Sequence, residues 1–311
     1  MDGESSSTVH VDSGVPQGTV LGPLMFLLYI NDIGNNLNSQ IKLFADDCLL
    51  YRTIQSADDT TILQNDLEKL KTWTEEWQMN FNSEKCFTLR IHKNKNPIIK
   101  NYTLGRDILG AVPEKTYLGV EIDEQLNWKA HITAMTAKAG RTLGFLRRNL
   151  GTCPPSIKQQ AYTSLVRSKL EYASVVWDPY KKYQIDQIEQ IQRRAVRFIC
   201  GNYQQDASVT KMREDLRLPL LEDRRRQARL LMFYKAINDQ IAIPIPQHLQ
   251  PRLRVTRQQQ QHRYVRIRAN TDIYNHSFFP RTLRDWDMLP QDTIELSTVE
   301  QFKGAICAQG L

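Results

Sequence analysis

The stretch that decides the fold is "IKLFADDCLLY", residues 41–51, in which Asp46 and Asp47 interrupt an apolar run. Ionised carboxylates in an apolar setting are costly unless something compensates them. Because Asp is common in turns, the two apolar arms predict a β-hairpin with the acids at or near its tip. Two interpretations stay open at this point. The acids either face water, or they bind a divalent metal ion that removes the repulsion between them.

The rest of the first 128 residues predicts a mixture of helices and strands. Apolar residues recur at steps of three and four over residues 56–79, which indicates an amphipathic helix. Ser56 and Asp59 have the spacing of a capping box at its start. The other predicted elements are a Gly/Pro-rich loop over residues 13–23, a buried helix over 24–32, and strands over 86–91 and 117–122, the last with Leu118 in the core.

Beyond about residue 128 the pattern becomes helical. Ile132, Met135, Ala139, Leu143 and Leu146 form one apolar stripe at helical spacing. Further helices are predicted over residues 156–176, 183–200 and 222–239, and a proline-, glutamine- and arginine-rich arm over 240–270. The chain is therefore expected to be of the α+β class.

Charge is distributed unevenly along the 311 residues. Residues 1–130 hold 12 Lys and Arg against 18 Asp and Glu, whereas residues 131–311 hold 29 against 16. The basic second part points to a polyanion, most often nucleic acid, although a solvated basic surface would have the same composition. Five scattered cysteines predict neither a disulfide framework nor a zinc site. Without a signal peptide or a membrane-length apolar run, we expect an intracellular protein, nuclear or cytoplasmic.

Four motifs in order carry a specific resemblance: "SGVPQGTVLGPLMFLLYIND", "LFADD", "MNFNSEKC" and "YLGV". Together they resemble the second half of the palm of reverse transcriptases, most closely the jockey-like group of non-LTR retrotransposons. "LEYASVVWDPY", "RRAVRFICG" and "FFPRTLRDWDMLP" resemble the thumb and C-terminal region of the same elements. The resemblance implies a partial right-hand polymerase palm, an antiparallel sheet with helices, over residues 1–126. A helical thumb over 127–240 and a basic arm with a C-terminal region over 241–311 would follow.

The resemblance also implies catalytic roles. Asp46 and Asp47 match the paired aspartates that hold two Mg²⁺ ions while a primer 3′-hydroxyl attacks the α-phosphate of a dNTP. Lys85 matches a lysine that protonates or neutralises the pyrophosphate leaving group, and a surface lysine at a strand start is its alternative. Implied partners are an RNA template, a DNA primer or target, and dNTPs, with no membrane.

Further residues match positions that contact nucleic acid in this family. They form three groups, each with a structural alternative. The alternative is an ordinary helix-entry turn for the first group, a strand pair for the second and solvated basic faces for the third. The nucleotide and template group is Pro16, Gln17, Gly18 and Phe44. The primer grip, a hairpin that holds the growing 3′ end, is Tyr117, Leu118 and Gly119. The backbone-binding group is Lys138, Arg141, Arg147, Arg148, Arg193, Arg194 and Arg197.

The third carboxylate of the family is expected on a palm strand upstream of "SGVPQG", and Asp2, Glu4 and Asp12 lie in the wrong context for it. The fingers and an upstream endonuclease region are likewise expected in a longer protein. We therefore expect this chain alone to hold an incomplete metal site and to lack polymerase activity. A non-catalytic RNA- or DNA-binding remnant is the second hypothesis, and a poorly folding fragment is the third. Ribonuclease H activity has no support.

Overall fold

The computed structural model describes residues 18–243, 245, 249–250 and 263–308. It divides the chain into two compact units, Met1–Pro113 and Glu114–Leu311. Pro16, Gln17 and most of the arm predicted over residues 240–270 lie outside the described residues. Within the described part, every helix is too short or too polar to cross a membrane.

The first unit is organised around one long amphipathic helix, as predicted. The Ser56 side chain accepts from the Asp59 amide and the Asp59 side chain from the Ser56 amide, so the capping box is confirmed. A small core of Tyr102, Leu104 and Leu109 packs against this helix. The elements are α1 Leu21–Tyr29, β1 Gln40–Phe44, β2 Asp47–Tyr51, α2 Ala57–Glu76, a 3₁₀ turn Ser83–Lys85, β3 Phe87–Leu89, β4 Thr103–Leu104, β5 Asp107–Ile108 and β6 Gly110–Val112.

The helix over residues 24–32 forms, but the prediction that it is buried is wrong. α1 has no buried residue, and Leu28 is 70% exposed. Its C-terminal end is tied to α2, because Tyr29 contacts Trp77 edge to face and Trp73 donates to Asp32 at 2.9 Å. A helix that is apolar on all sides normally lies inside a larger core. Among the described residues of this unit, those that pack against α1 do so at its C-terminal end.

The expected single antiparallel sheet is also not formed among the described residues. The strands make four separate pairs: β1–β2 and β4–β5 antiparallel, β3–β6 parallel, and one antiparallel hairpin in the second unit. The β4–β5 pair contacts α2, and the hairpin of the second unit contacts α3. Two-stranded pairs are marginal by themselves, so these helix contacts stabilise the two pairs.

The second unit opens with a hairpin and continues as helices. The strand predicted over residues 117–122 is wrong as a continuous element, because Leu118 and Gly119 form a tight turn with φ of 45° and 78°. Leu118 is half-buried at this turn and not in the core. The elements are β7 Glu114–Tyr117, β8 Val120–Asp123, α3 Lys129–Asn149, α4 Pro155–Tyr162, α5 Ser168–Glu171, α6 Ser174–Trp177, α7 Lys182–Cys200, α8 Val209–Asp215, α9 Leu221–Ile237, α10 Asp272–Asn275, α11 Phe278–Asp287, α12 Gln291–Ile294 and α13 Val299–Ala308.

The helix predicted from the apolar stripe of Ile132 to Leu146 is confirmed as α3, and those predicted over 183–200 and 222–239 are confirmed as α7 and α9. The apolar faces of α3 and α7 form the main core with α4 and α5, and Leu221 of α9 joins it. The helix predicted over 156–176 is interrupted. A π-helical turn spans Thr163–Arg167, and Ala173, which has a left-handed φ of 51°, separates α5 from α6. Helix α9 also supplies Leu230, Phe233 and Tyr234 to a second core with the C-terminal helices.

Arginines of α9 form buried ion pairs. Asp178 accepts from Arg225 at 2.9 Å, and also pairs with Arg229 and with Arg281 at 3.2 Å. Arg225 and Arg229 are almost fully buried. Arg225 and Arg229 of α9 are therefore compensated inside the protein and are not available to bind phosphates.

Candidate catalytic hairpin and nucleic-acid interface

The hairpin predicted from "IKLFADDCLLY" is confirmed. Phe44 pairs with Asp47 across the strands, so Ala45 and Asp46 form a two-residue turn. Ala45 has a φ of 50°, a left-handed conformation that costs energy in a residue with a side chain. Asp46 and Asp47 are both exposed at the tip. The turn therefore presents two adjacent carboxylates to solvent.

A buried carboxylate on α2 holds the entry to this hairpin. Asp66 is 0% exposed and accepts from the backbone amides of Asn38, at 3.0 Å, and Ser39, at 2.7 Å, and from Lys69 at 3.0 Å. Burial alone raises the pKa of Asp66, but the hydrogen bonds from Ser39, Asn38 and Lys69 outweigh it and lower the pKa below its usual value. Asp66 stays ionised and fixes the residues that lead into β1.

A second contact closes the base of the hairpin where β2 ends. Arg52 donates to Asp59 at 3.0 Å and to the carbonyl of Asn38 at 3.0 Å, so it joins the two ends of the hairpin. The backbone amides of Gln55 and Ser56, and then Arg52, lower the pKa of Asp59 to about 2. Helix α2 thus holds the hairpin at both ends and leaves its tip free.

The two carboxylates at the tip could supply part of the ligand set of a metal ion. Mg²⁺ prefers hard oxygen ligands and commonly takes one or two protein carboxylates, which Asp46 and Asp47 could supply. Within the described ranges, however, no group of three or more His, Cys, Asp or Glu side chains could hold a metal ion. The neighbouring Cys48 is no candidate ligand for Mg²⁺, because this ion prefers oxygen over sulfur; burial, and then the charge of Cys86, raise the pKa of the Cys48 thiol to about 11. The two aspartates therefore fit a metal only as part of a larger ligand set.

The other residues assigned to the first unit occupy exposed positions. Lys85 ends the 3₁₀ turn that precedes β3, with its side chain in solvent. Phe44 is 62% exposed at the end of β1, beside the acids. Gly18 has a φ of 84°, and a Cβ there would meet no atom within 4 Å. Pro16 and Gln17 lie outside the described residues.

In the second unit, the β7–β8 turn is supported by a residue that the sequence analysis did not single out. The Tyr172 hydroxyl donates to the Leu118 carbonyl at 2.9 Å. A Cβ at Gly119 would lie only 3.3 Å from the Tyr172 ring, in addition to the strain of its positive φ. The position of the Tyr172 ring therefore favours a residue without a side chain at position 119. Tyr172 lies in the motif "LEYASVVW", but no local pattern indicates its distant contact.

A second contact fixes β8 to the helices. The Glu121 amide donates to His131 Nδ1 at 3.3 Å, and the His131 ring lies 5.2 Å from that of Trp177. Burial lowers the pKa of His131, which favours the neutral ring that can accept this bond. The predicted primer-grip residues Tyr117, Leu118 and Gly119 thus form a turn braced by Tyr172 and His131.

Most of the predicted backbone-binding residues project into solvent from two helices. The exception is Arg197 on α7, which is half-buried and donates to the Gln204 carbonyl at 2.7 Å. This bond leaves part of its guanidinium for other contacts. The exposed members are Lys138, Arg141, Arg147 and Arg148 on α3, and Arg193 and Arg194 on α7.

Comparison with known proteins finds one matching family model and several relatives. Residues 1–122 match the family model of the reverse transcriptase (RNA-dependent DNA polymerase). The chain is 28% identical over 229 residues to the probable RNA-directed DNA polymerase from transposon BS of Drosophila melanogaster, covering 68% of this chain and 25% of that protein. It is 25% identical over 282 residues to the RNA-directed DNA polymerase from mobile element jockey of Drosophila funebris, covering 84% of this chain and 30% of that protein.

A shorter relative is matched over more of its length. The Pol polyprotein from the type-1 retrotransposable element R1 of Nasonia vitripennis is 25% identical over 197 residues, which cover 59% of this chain and 58% of that protein. The chain spans about a quarter of the length of the Drosophila melanogaster relatives that it matches. No solved structure matches it.

Proposed function

Because residues 1–122 belong to the reverse transcriptase family, we propose that this chain is a polymerase segment of a non-LTR retrotransposon. The observation that carries the proposal is the β1–β2 hairpin, which presents Asp46 and Asp47 together in solvent. In this proposal residues 1–126 are part of a palm and residues 127–240 are a helical thumb. Residues 241–311 are a basic arm and C-terminal region.

The hairpin tip is the proposed metal-binding part of the active site. Asp46 and Asp47 would hold the metal, and bound Mg²⁺ would stabilise the attacking and leaving oxygens during nucleotidyl transfer. The anchors at Asp66 and Arg52 keep the two carboxylates in one place, which the precise geometry of phosphoryl transfer requires. Lys85 would supply positive charge to the pyrophosphate leaving group, and Phe44 and Gly18, with Pro16 and Gln17, would lie near nucleotide and template.

We propose that the chain alone does not catalyse DNA synthesis. Three observations support this. The two aspartates have no third metal-ligating partner within the described residues, and α1 is exposed although it is apolar throughout. The matched stretch also covers only 25% and 26% of two Drosophila melanogaster relatives. The exposed α1 and the hairpin would complete their packing within the larger polymerase.

The second unit would hold the nucleic acid. The turn at Leu118 and Gly119, braced by Tyr172, is the proposed primer grip. The exposed lysine and arginines of α3 and α7 would contact phosphates without reading sequence. The expected ligands are an RNA template paired with a DNA primer or target, and dNTPs.

Two assays test this proposal. The purified chain should extend no primer on an RNA template with Mg²⁺ or Mn²⁺, whereas a longer polypeptide that carries this chain after its upstream region should do so. In the longer polypeptide, Asp46→Asn should abolish extension and Glu76→Gln, an exposed acid on α2, should not. Extension by the chain alone, or full activity of Asp46→Asn, would refute the proposed site.

A non-catalytic nucleic-acid-binding role is the second candidate, and the exposed basic residues of α3 and α7 favour it. Both candidates predict RNA binding that weakens steeply with salt and is unchanged by Asp46→Asn. They differ in the longer polypeptide. Binding without any Asp46-dependent extension would favour the non-catalytic role.

A further inference from the structure

A basic cavity of about 560 Å³ lies in the second unit, between the C-terminal turns of α3 and α7 and the first half of α4. Its wall contains three cationic side chains, two aromatic rings and no carboxylate. The volume falls in the range of sites that bind small ligands. The cations are Arg147, Arg148 and Lys158, and the rings are Phe198 and Tyr203.

The unusual member is Lys158. It is only 8% exposed, and its Nζ lies 5.4 Å from the centroid of the Phe198 ring. No carboxylate of the described part of the chain lies within ion-pair distance of Lys158, Arg147 or Arg148. The ammonium lies at the cavity wall, where the Phe198 ring contributes a cation–π contact of about 0.5–2 kcal/mol.

The helix dipoles explain the arginines but not the lysine. Arg147 and Arg148 lie in the last turn of α3, where a positive charge is favourable. Lys158 lies in the first half of α4, which begins at Pro155, where the dipole disfavours a cation. Its charge is thus neither paired with a carboxylate of the described residues nor favoured by its helix, which leaves it available to an anion in the cavity.

We propose that this cavity binds a backbone phosphate of a polynucleotide, held by Lys158 together with Arg147 and Arg148. The inference rests on the proposed function and adds to it a defined contact point. A phosphate would compensate the buried ammonium and lie between the two arginines. Tyr203, 53% exposed with Arg147 5.3 Å from its ring centroid, offers an aromatic surface at the rim for an adjoining base.

The test compares two lysine variants of the full chain. Lys158→Met keeps the length of the side chain and removes the buried charge, whereas Lys303→Met removes an exposed charge on α13 as a matched control. Binding of a fluorescent single-stranded RNA is measured by anisotropy across a salt series. Lys158→Met should weaken binding about 10-fold and reduce the salt slope by about 1, and Lys303→Met should change neither.

Thermal melting provides a second readout. Lys158→Met should melt at the same temperature as the parent chain or higher, because it keeps the buried stem and removes a cation from the first half of α4, where the helix dipole disfavours it. A lower melting temperature with unchanged RNA binding would assign Lys158 a structural role and overturn the proposal. If Lys158→Met does not fold, the exposed Arg148→Gln is judged by the same binding criteria.

Inorganic phosphate separates this proposal from the proposed function. RNA binding that is identical in Lys158→Met and the parent would overturn the cavity site and leave the proposed function standing. If the parent chain fails to bind RNA, while phosphate raises its melting temperature only when Lys158 is present, the cavity is a site for small phosphates. That result would overturn both the polynucleotide ligand and the nucleic-acid-binding part of the proposed function.

Discussion

The substitution Asp66→Asn should loosen the β1–β2 hairpin without changing any residue in it. Asparagine has the same shape but keeps one acceptor oxygen, so the amides of Asn38 and Ser39 and the ammonium of Lys69 compete for it. Hydrogen bonds to a buried charged group contribute about 1.5–3 kcal/mol each. Weakening or losing two of them should cost about 3 kcal/mol, which is on the order of a 100-fold change in the equilibrium for local opening.

Hydrogen exchange measured by mass spectrometry can detect this opening. Amides of residues 40–51 should exchange on the order of 100-fold faster in Asp66→Asn, and those in the core of α3 should not change. Glu76→Gln, an exposed acid on the same helix, is the control and should match the parent. Unchanged exchange over residues 40–51 would refute the argument that the carboxylate holds the hairpin. Equal acceleration throughout residues 57–112 would show that Asp66 supports the whole first unit.

Four further predictions concern stability and reactivity. Asp59 has a folded pKa of about 2, below its unfolded value. Its contribution to the free energy of unfolding is therefore complete above about pH 4 and is lost as the pH falls towards 2. In Asp59→Asn the free energy of unfolding should depend less steeply on pH in that window. Tyr172→Phe should speed exchange of the Leu118 turn several-fold, a cost of about 1 kcal/mol, by deuterium uptake of residues 114–123. Asp178→Asn should lower unfolding free energy by about 3–5 kcal/mol in urea titrations, because it uncouples buried arginines. Cys48 should react with a thiol reagent at pH 8 on the order of 100-fold more slowly in the folded chain than in urea.

Local patterns in the sequence were sufficient for several elements. The hairpin of residues 40–51, the capping box at Ser56 and the helices α2, α3, α7 and α9 were predicted correctly. Their signals are carried by neighbouring residues: turn chemistry, apolar periodicity and a cap at fixed spacing. The order of the palm motifs likewise indicated the family before any contact was known.

Other features were predicted wrongly because they depend on residues far apart in the chain. The apolar composition of α1 predicted burial, but composition does not say which segment covers a helix. The alternation in "YLGVEI" predicted one strand, whereas Leu118 and Gly119 turn the chain beneath the Tyr172 side chain. The contact with Tyr172 is separated from this turn by more than fifty residues, so no local pattern contained it.

By itself, the sequence determined the resemblance to reverse transcriptases, the acidic hairpin and the basic character of the second part, because local spacing and composition express these directly. Only the tertiary structure decided what each charge does. Asp66 became the anchor of the hairpin, and the arginines of α9 became the core of an ion-pair network. Lys158 became a cation in the wall of a cavity, without a carboxylate partner among the described residues. Burial and partners set the energy of a charge, and both arise only when distant segments of the chain pack together.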